Sequence, residues 1–441
     1  MNLVTNPPEN PAIDDLTRTT IGKFQIRKLL GRGATASVYL AQDPFSNNEV
    51  AIKIAHQNIF SEPVNGARFK KMFINEASLA GKLRHPYIVK VFDAGTERDM
   101  HYIVMEYVDG HTLKRHTQPE NLLPIDDVVE IIFKCCNALE YAFVNGLIHR
   151  DIKPANLLTT GGTDIKVTDF GTALLADSDL TQVVDAVGTP SYMSPEQIMG
   201  RELSQQADIY SLGVVMYQLL SGKLPFTAEN QYDLIQKISN RPPTPLKDVR
   251  RDIPGEIVRI VDRCIRKKAA DRYDSWADLA CDLATVHEQL ELTTSIDVSD
   301  TRKFNILKTL TFFHDFTDVE LWEVLRISKW RRFRGAKTLI DEGKIGGSIF
   351  ILAAGDARIM KNDAFLGLIE AGQCFGEMAY IHGMKKPRSA SVVSNSPVTV
   401  IKIRTEALQQ ASIQLQTKFN RVLMRTLADR LEKTSMMASA L

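Results

Sequence analysis

The sequence predicts a multidomain α+β protein, an expectation that rests on three observations. With 441 residues the chain is long enough for two or three domains. Strand-like alternation begins at Phe24 and gives way to long apolar helical stretches. From Trp330 onward short apolar runs alternate with Gly335, Gly343, Gly346, Gly347, Gly355, Gly367 and Gly372, the signature of a jelly-roll-like β-roll with flanking helices. The polar run Thr293 to Asp300 separates the two patterns. The expected divisions are a polar N-terminal tail over 1–20, a first domain over 24–285, a linker over 286–303 and a second domain over 304–435.

Composition excludes several classes. Formal net charge is +1 and charged residues make up 24%, so there is no bulk pull toward nucleic acid or a membrane surface. No apolar run approaches the ~18 residues of a membrane span, and Leu212 to Leu220 reads as a buried helix. The start of the chain has neither a basic segment nor an apolar one of the kind a secretory signal needs. Cys135, Cys136, Cys264, Cys281 and Cys374 form no Cys-x-x-Cys pair, which argues against zinc or a disulfide framework and for a cytoplasmic setting.

In chain order, Leu30-Gly31-Arg32-Gly33-Ala34 is a glycine-rich turn between two strands, where backbone N–H groups approach phosphates closely. Ala36 takes the place of a third glycine. Val50-Ala51-Ile52-Lys53 is an apolar strand ending in a lysine, which by itself is equally a snorkelling surface residue. A helix is expected over Phe69 to Leu83, with Glu76 on it, and Tyr102 to Gly110 reads as a buried strand running into a turn. An amphipathic helix follows from Ile125 to Asn145. Next comes His149-Arg150-Asp151-Ile152-Lys153-Pro154-Ala155-Asn156, then Ile165 to Val167 and Asp169-Phe170-Gly171. Two short strands thus bracket a loop rich in polar groups. This arrangement suits phosphoryl transfer: one carboxylate orients a hydroxyl, while an amide oxygen and a second carboxylate hold Mg²⁺ against a triphosphate.

These motifs, in this order over residues 24 to 285, resemble the Ser/Thr protein kinases of bacterial type. The resemblance implies a bilobal protein kinase fold that uses ATP and Mg²⁺ to phosphorylate protein Ser and Thr hydroxyls. It casts Asp151 as the base, Lys153 as a charge partner of the moving phosphoryl, and Lys53 paired with Glu76 on the α- and β-phosphates. Asn156 and Asp169 become the metal ligands. The nucleotide would lie among Leu30, Gly31, Arg32, Gly33, Ala34, Val38, Ala51, Met105, Glu106 and Val108, with Met105 as gatekeeper. Ser194-Pro195-Glu196 would end the activation segment, with Glu196 paired to Arg272, and Asp208 would cap the catalytic-loop backbone. Thr181 matches the activating phosphosite that Arg150 would grip, and is otherwise an ordinary loop threonine.

In the second domain, Phe375-Gly376-Glu377-Met378-Ala379-Tyr380 and Pro387-Arg388-Ser389-Ala390 resemble the phosphate-binding cassette of cyclic-nucleotide-binding domains. The resemblance implies a cyclic AMP or cyclic GMP effector. Gly376, Met378 and Ala379 offer backbone to the cyclic phosphate at a short helix N-terminus. Arg388 supplies its charge partner, Glu377 accepts from the ribose 2′-OH, and Ser389 and Ala390 complete the pocket. An amphipathic helix from about Glu406 to Ser435 closes the chain; such a helix moves or pairs when ligand binds, which admits a homodimer. The rival readings are a kinase whose C-terminal β-roll is purely structural and a pseudokinase scaffold that relays nucleotide signals.

Overall fold

Alternation on both faces builds the first sheet. In the strand Glu49–Ala55, Val50, Ile52 and Ile54 point to one apolar cluster while Ala51 points to another. A strand buried on both faces is apolar nearly throughout, and period-two geometry puts Lys53 on the same face as Ala51. A computed structural model of the chain describes residues 19–33, 35–56, 66, 73, 77, 80–97, 100–170, 190–294, 300–333, 337–362, 364–381 and 387–439. It divides into two compact units, Met1–Ala280 and Cys281–Leu441.

The first unit begins with β1 (Thr20–Ile21), β2 (Phe24–Arg32), β3 (Ala36–Gln42), β4 (Glu49–Ala55), β5 (Val91–Glu97) and β6 (Met100–Glu106), arranged β1-β2-β3-β4-β6-β5. After β7 (His111–Thr112) comes helix α1 (Ile125–Val144), then β8 (Leu157–Gly161) and β9 (Asp164–Val167), which form a small sheet with β7. The remaining helices are α2 (Pro195–Ile198), α3 (Gln205–Ser221), α4 (Gln231–Asn240), α5 (Leu246–Val249) and α6 (Gly255–Cys264), while α7 (Trp276–Thr294) begins in this unit and ends in the second. Helix α3 is buried on every side from Ala207 to Tyr217, so it is the centre of the helical core and not an amphipathic cover. It meets α6 so closely that a Cβ at Gly213 would lie 2.4 Å from the Cβ of Cys264.

After the end of α7 the second unit has α8 (Asp300–Thr309) and α9 (Asp318–Ile327), where Phe304 stacks on Trp322 with ring centres 4.3 Å apart. Then follow β10 (Ser328–Phe333), β11 (Thr338–Ile340), β12 (Ser348–Ala354), β13 (Asp356–Lys361), β14 (Ala364–Glu370) and β15 (Cys374–Phe375). The short helix α10 (Met378–Ile381), strands β16 (Ser391–Ser394) and β17 (Val398–Arg404), and helices α11 (Thr405–Gln409) and α12 (Ile413–Ser439) complete it. Two four-stranded sheets, β10-β17-β12-β15 and β11-β16-β13-β14, enclose Ile340, Leu352, Ala357, Ile369, Phe375, Val392, Val398 and Val400. This is the β-roll that the glycine-punctuated pattern predicts.

Two expectations change. The stretch 286–303 is helical at both ends, because Leu283, Val286 and His287 extend the buried face of α7 and Thr301 and Phe304 begin that of α8. The single helix expected from Glu406 to Ser435 is two helices. Between them Ser412 accepts a bond from the Leu415 N–H and donates to Glu323, so a local cap starts α12 afresh.

Candidate functional site

The candidate nucleotide cleft is set by strand register. Val38 lies opposite Lys53, Lys53 opposite Ile103, and Ala51 opposite Met105. Val38, Ala51, Met105 and Val108 share one apolar cluster with Leu158 of β8. Leu158 closes this cluster from the other lobe; the sequence reading missed it, because nothing local in β8 marks it. Leu30 is exposed at the end of the β2–β3 hairpin, Gly31 leaves open space where a Cβ would sit, and the Gly33 N–H donates to the Ala36 carbonyl. Arg32 ends β2. Ala34, Glu76 and Thr181 lie outside the described residues. Glu106 turns its carboxylate to Lys166 Nζ at 2.9 Å, so any part it plays toward a base falls to its backbone.

The catalytic loop is held from below. Asp208, at the start of α3, accepts from the His149 N–H at 2.6 Å and the Arg150 N–H at 2.7 Å. These bonds hold Arg150 at φ +66°, a left-handed conformation that costs a non-glycine residue ~1–3 kcal/mol. Burial pushes the Asp208 carboxyl up, against the pull of His149 and the two N–H groups. The side-chain amide of Gln197 adds a third tie, to the Arg150 carbonyl at 2.8 Å. Gln197 also completes a capping box with Ser194.

The reactive groups converge on this frame. Lys153 Nζ lies 2.7 Å from Asp151 Oδ2, and Asn156 Nδ2 donates to both Asp151 O and Asp151 Oδ2. With its nitrogen so engaged, Asn156 has its Oδ1 left for a cation. Lys53 Nζ lies 2.8 Å from Asp169 Oδ1, and Asp169 itself sits at φ +62°. Burial pushes the Asp169 carboxyl up, but Lys53, His149 and Lys153 outweigh it and hold it below the ordinary carboxylate value. His149 donates from Nε2 to Thr168 O and packs on Phe170 with ring centres 4.6 Å apart. Among the described residues no group of three or more His, Cys, Asp or Glu is arranged to hold a metal. One carboxylate and one amide oxygen nevertheless fit Mg²⁺, which keeps its waters and takes phosphate oxygens for the rest.

Glu196, in the first turn of α2, is anchored by Arg272, which is 1% exposed. Its guanidinium meets both oxygens of Glu196, at 2.6 and 2.9 Å, and the carbonyls of Arg266, Gln206 and Lys267.

In the second unit Gly376 adopts φ +73°, and a Cβ there would lie 2.8 Å from Arg388 Nη1. Only glycine lets the chain turn this closely over the guanidinium. Arg388 donates to the carbonyls of Gly376 at 2.7 Å and Ser348 at 2.8 Å. Burial draws its pKa down and Glu377 opposes that. Glu377 is buried, and its Oε1 pairs with Arg430 Nη1 of α12 at 2.6 Å. Arg430 also donates to the Cys374 carbonyl. It lies 53 residues from Glu377, beyond any local motif. Met378 and Ala379 begin α10; Ser389 is exposed and Ala390 half-buried just ahead of β16.

Residues 24–282 match the protein kinase domain family, and residues 330–414 match the cyclic nucleotide-binding domain family. The serine/threonine-protein kinase PrkC of Bacillus subtilis is 35% identical over 268 residues, which cover 60% of this chain and 41% of that protein. Serine/threonine-protein kinase PknB of Mycobacterium leprae is 34% identical over 271 residues, 60% of this chain and 43% of that one. PknB of Mycobacterium tuberculosis is also 34% identical, over 272 residues, with the same coverage of 60% and 43%. The chain spans about two fifths of the length of these curated relatives. Among the described residues no helix is long and apolar enough to cross a membrane.

Proposed function

From the premise that this chain belongs to the protein kinase family, we propose that it transfers the γ-phosphoryl of ATP to Ser or Thr hydroxyls of proteins. The observation that carries this reading is the convergence of Lys53, Asp169, Asp151, Lys153 and Asn156 in one cleft. The acceptor hydroxyl oxygen attacks the γ-phosphorus, the bond to the bridging oxygen breaks, and ADP leaves. Asp151 orients the hydroxyl and takes its proton, Lys153 offsets charge on the moving phosphoryl, and Lys53 steadies the nonreacting phosphates, with Glu76 as its helix partner. Asn156 and Asp169 would hold Mg²⁺, which supplies charge neutralisation on the triphosphate. The intact charged set favours this over a pseudokinase scaffold.

Regulation is read from the second unit. A cyclic nucleotide, cyclic AMP or cyclic GMP, would set its phosphate against Arg388 and its ribose against Glu377. Activating phosphorylation is assigned to Thr181, with Arg150 as its partner. Met424 and Leu431 are exposed one heptad apart on α12, which supports a homodimer through that helix. The ATP requirement and the free thiols support a cytoplasmic setting.

The test is phosphate incorporation into a generic basic protein, measured while each cyclic nucleotide is titrated. Native protein should respond by roughly 5- to 150-fold, the usual range of coupling between sites. Asp151→Asn should be inactive at every concentration, and Arg388→Ala should keep basal activity without the response. Activity in Asp151→Asn would overturn the catalytic reading. Flat curves for native protein would leave the β-roll a structural domain.

A further inference from the structure

The charges on the β10–β17 ladder extend beyond the candidate cyclic-phosphate pocket, where Arg388 and Lys402 each lie 5.9 Å from the Phe350 ring centre. Lys329 lies directly opposite Lys402, and Arg331 opposite Val400. Residues two apart on a strand share a face, so Lys329, Arg331, Lys402 and Arg404 form one basic patch. Lys329, Arg331 and Arg404 are exposed, while Lys402 is half-buried with its ammonium 5.9 Å from the Phe350 ring centre. None of these cations makes a salt bridge among the described residues. Burial, then the charges of Arg331, Lys329, Arg388 and Arg404, draws the Lys402 ammonium below its ordinary pKa.

Like charges directly opposite in a ladder are destabilising. Lysines on an edge strand are a common guard against aggregation, and that accounts for Lys329 and Arg331. It does not account for the exposed Arg404, which sits one strand further in. The strand β10 ends its sheet, so one row of its backbone N–H and C=O groups faces outward.

We propose that this face docks an extended acidic polypeptide segment, which adds to β10 as a further strand and sets alternate carboxylates beside Lys329 and Arg331. An added strand would lie about 4.8 Å from β10, with side chains of one face repeating every ~6.8 Å, matching the Lys329–Arg331 spacing. Lys402 and Arg404 lie within about one screening length of those carboxylates and deepen the potential. A polypeptide supplies backbone partners for the free edge, which a sugar–phosphate chain does not. Nucleic-acid surfaces typically engage ~6–10 phosphates, more than this patch can reach.

The test is fluorescence anisotropy with the full chain and a labelled peptide of about ten residues alternating Glu and Thr. A Gln–Thr peptide, an acidic peptide N-methylated at alternate amides and a single-stranded oligonucleotide of equal charge complete the set. The acidic peptide should bind at least about tenfold more tightly than the neutral one and weaken as salt rises. Lys329→Glu with Arg331→Glu, and the milder Lys329→Gln with Arg331→Gln, should each weaken it, as should N-methylation. Cyclic-nucleotide binding and the thermal midpoint of the Gln variant should match the native protein, which separates docking from folding. Equal binding of the neutral and acidic peptides overturns the proposal, as does native-like binding by the double Gln variant. So does indifference to N-methylation, or capture of the oligonucleotide in place of the acidic peptide.

Discussion

Replacing Asp208 by Ala tests whether a residue that touches no substrate sets the catalytic loop. Asp208 is 3% exposed and accepts from the His149 and Arg150 N–H groups at 2.6 and 2.7 Å. Hydrogen bonds to a charged group are worth ~1.5–3 kcal/mol each, so the loop loses roughly 3–6 kcal/mol of restraint. The left-handed conformation of Arg150, φ +66°, then holds ~1–3 kcal/mol of strain, with the Gln197 amide still opposing its release. The loop should relax at Arg150 and carry Asp151 with it. A displacement of ~1 Å at a reacting group costs about 10²-fold in rate. Steady-state phosphorylation assays should therefore show kcat down by about 10²-fold with KM for ATP little changed, since Lys53 and the apolar cleft stand on other elements. Asp208→Asn keeps one acceptor oxygen and should fall between. A native kcat in the Ala variant, with the fold intact by circular dichroism, would refute the reasoning.

Three further outcomes follow from the same geometry. Glu196→Gln leaves the buried Arg272 guanidinium short of its counter-charge and should cost ~3–5 kcal/mol; at ~2–4 °C per kcal/mol, calorimetry should find the midpoint of the first unit lowered by roughly 6–20 °C, and an Arg272→Met, Glu196→Leu pair should recover much of it. Arg430→Ala strands the buried Glu377 carboxylate, but Arg430 is itself partly exposed, so urea unfolding should register a smaller loss of ~1–3 kcal/mol. His111 and His116 face each other at 3.0 Å through their Nε2 atoms, and His111 is held below its ordinary pKa by burial, then by His116 and Arg115. The unfolded chain therefore binds more protons there, so stability present above the ordinary His pKa is lost as pH falls through the folded value. Thermal midpoints measured across that range should slope less in His111→Asn, and an unchanged slope would remove the pair from the account.

The sequence by itself determined the elements and the chemistry they carry. Period-two alternation in β4 puts Lys53 and Ala51 on one face without reference to any other strand. The short loop from His149 to Asn156 brings Asp151, Lys153 and Asn156 together because few residues separate them. Glycine spacing marked the β-roll for the same local reason. Tertiary structure alone decided the long-range partners: Leu158 against the Ala51–Met105 cluster, Gln197 on the Arg150 carbonyl, Lys166 on Glu106 and Arg430 on Glu377. Register, too, was beyond local reading. A slip of one residue between β10 and β17 would take Lys402 from its place opposite Lys329, and nothing within either strand specifies that match. Such pairings follow from packing two surfaces that are distant in the chain, where neither periodicity nor motif spacing carries information, and only the assembled core selects one arrangement.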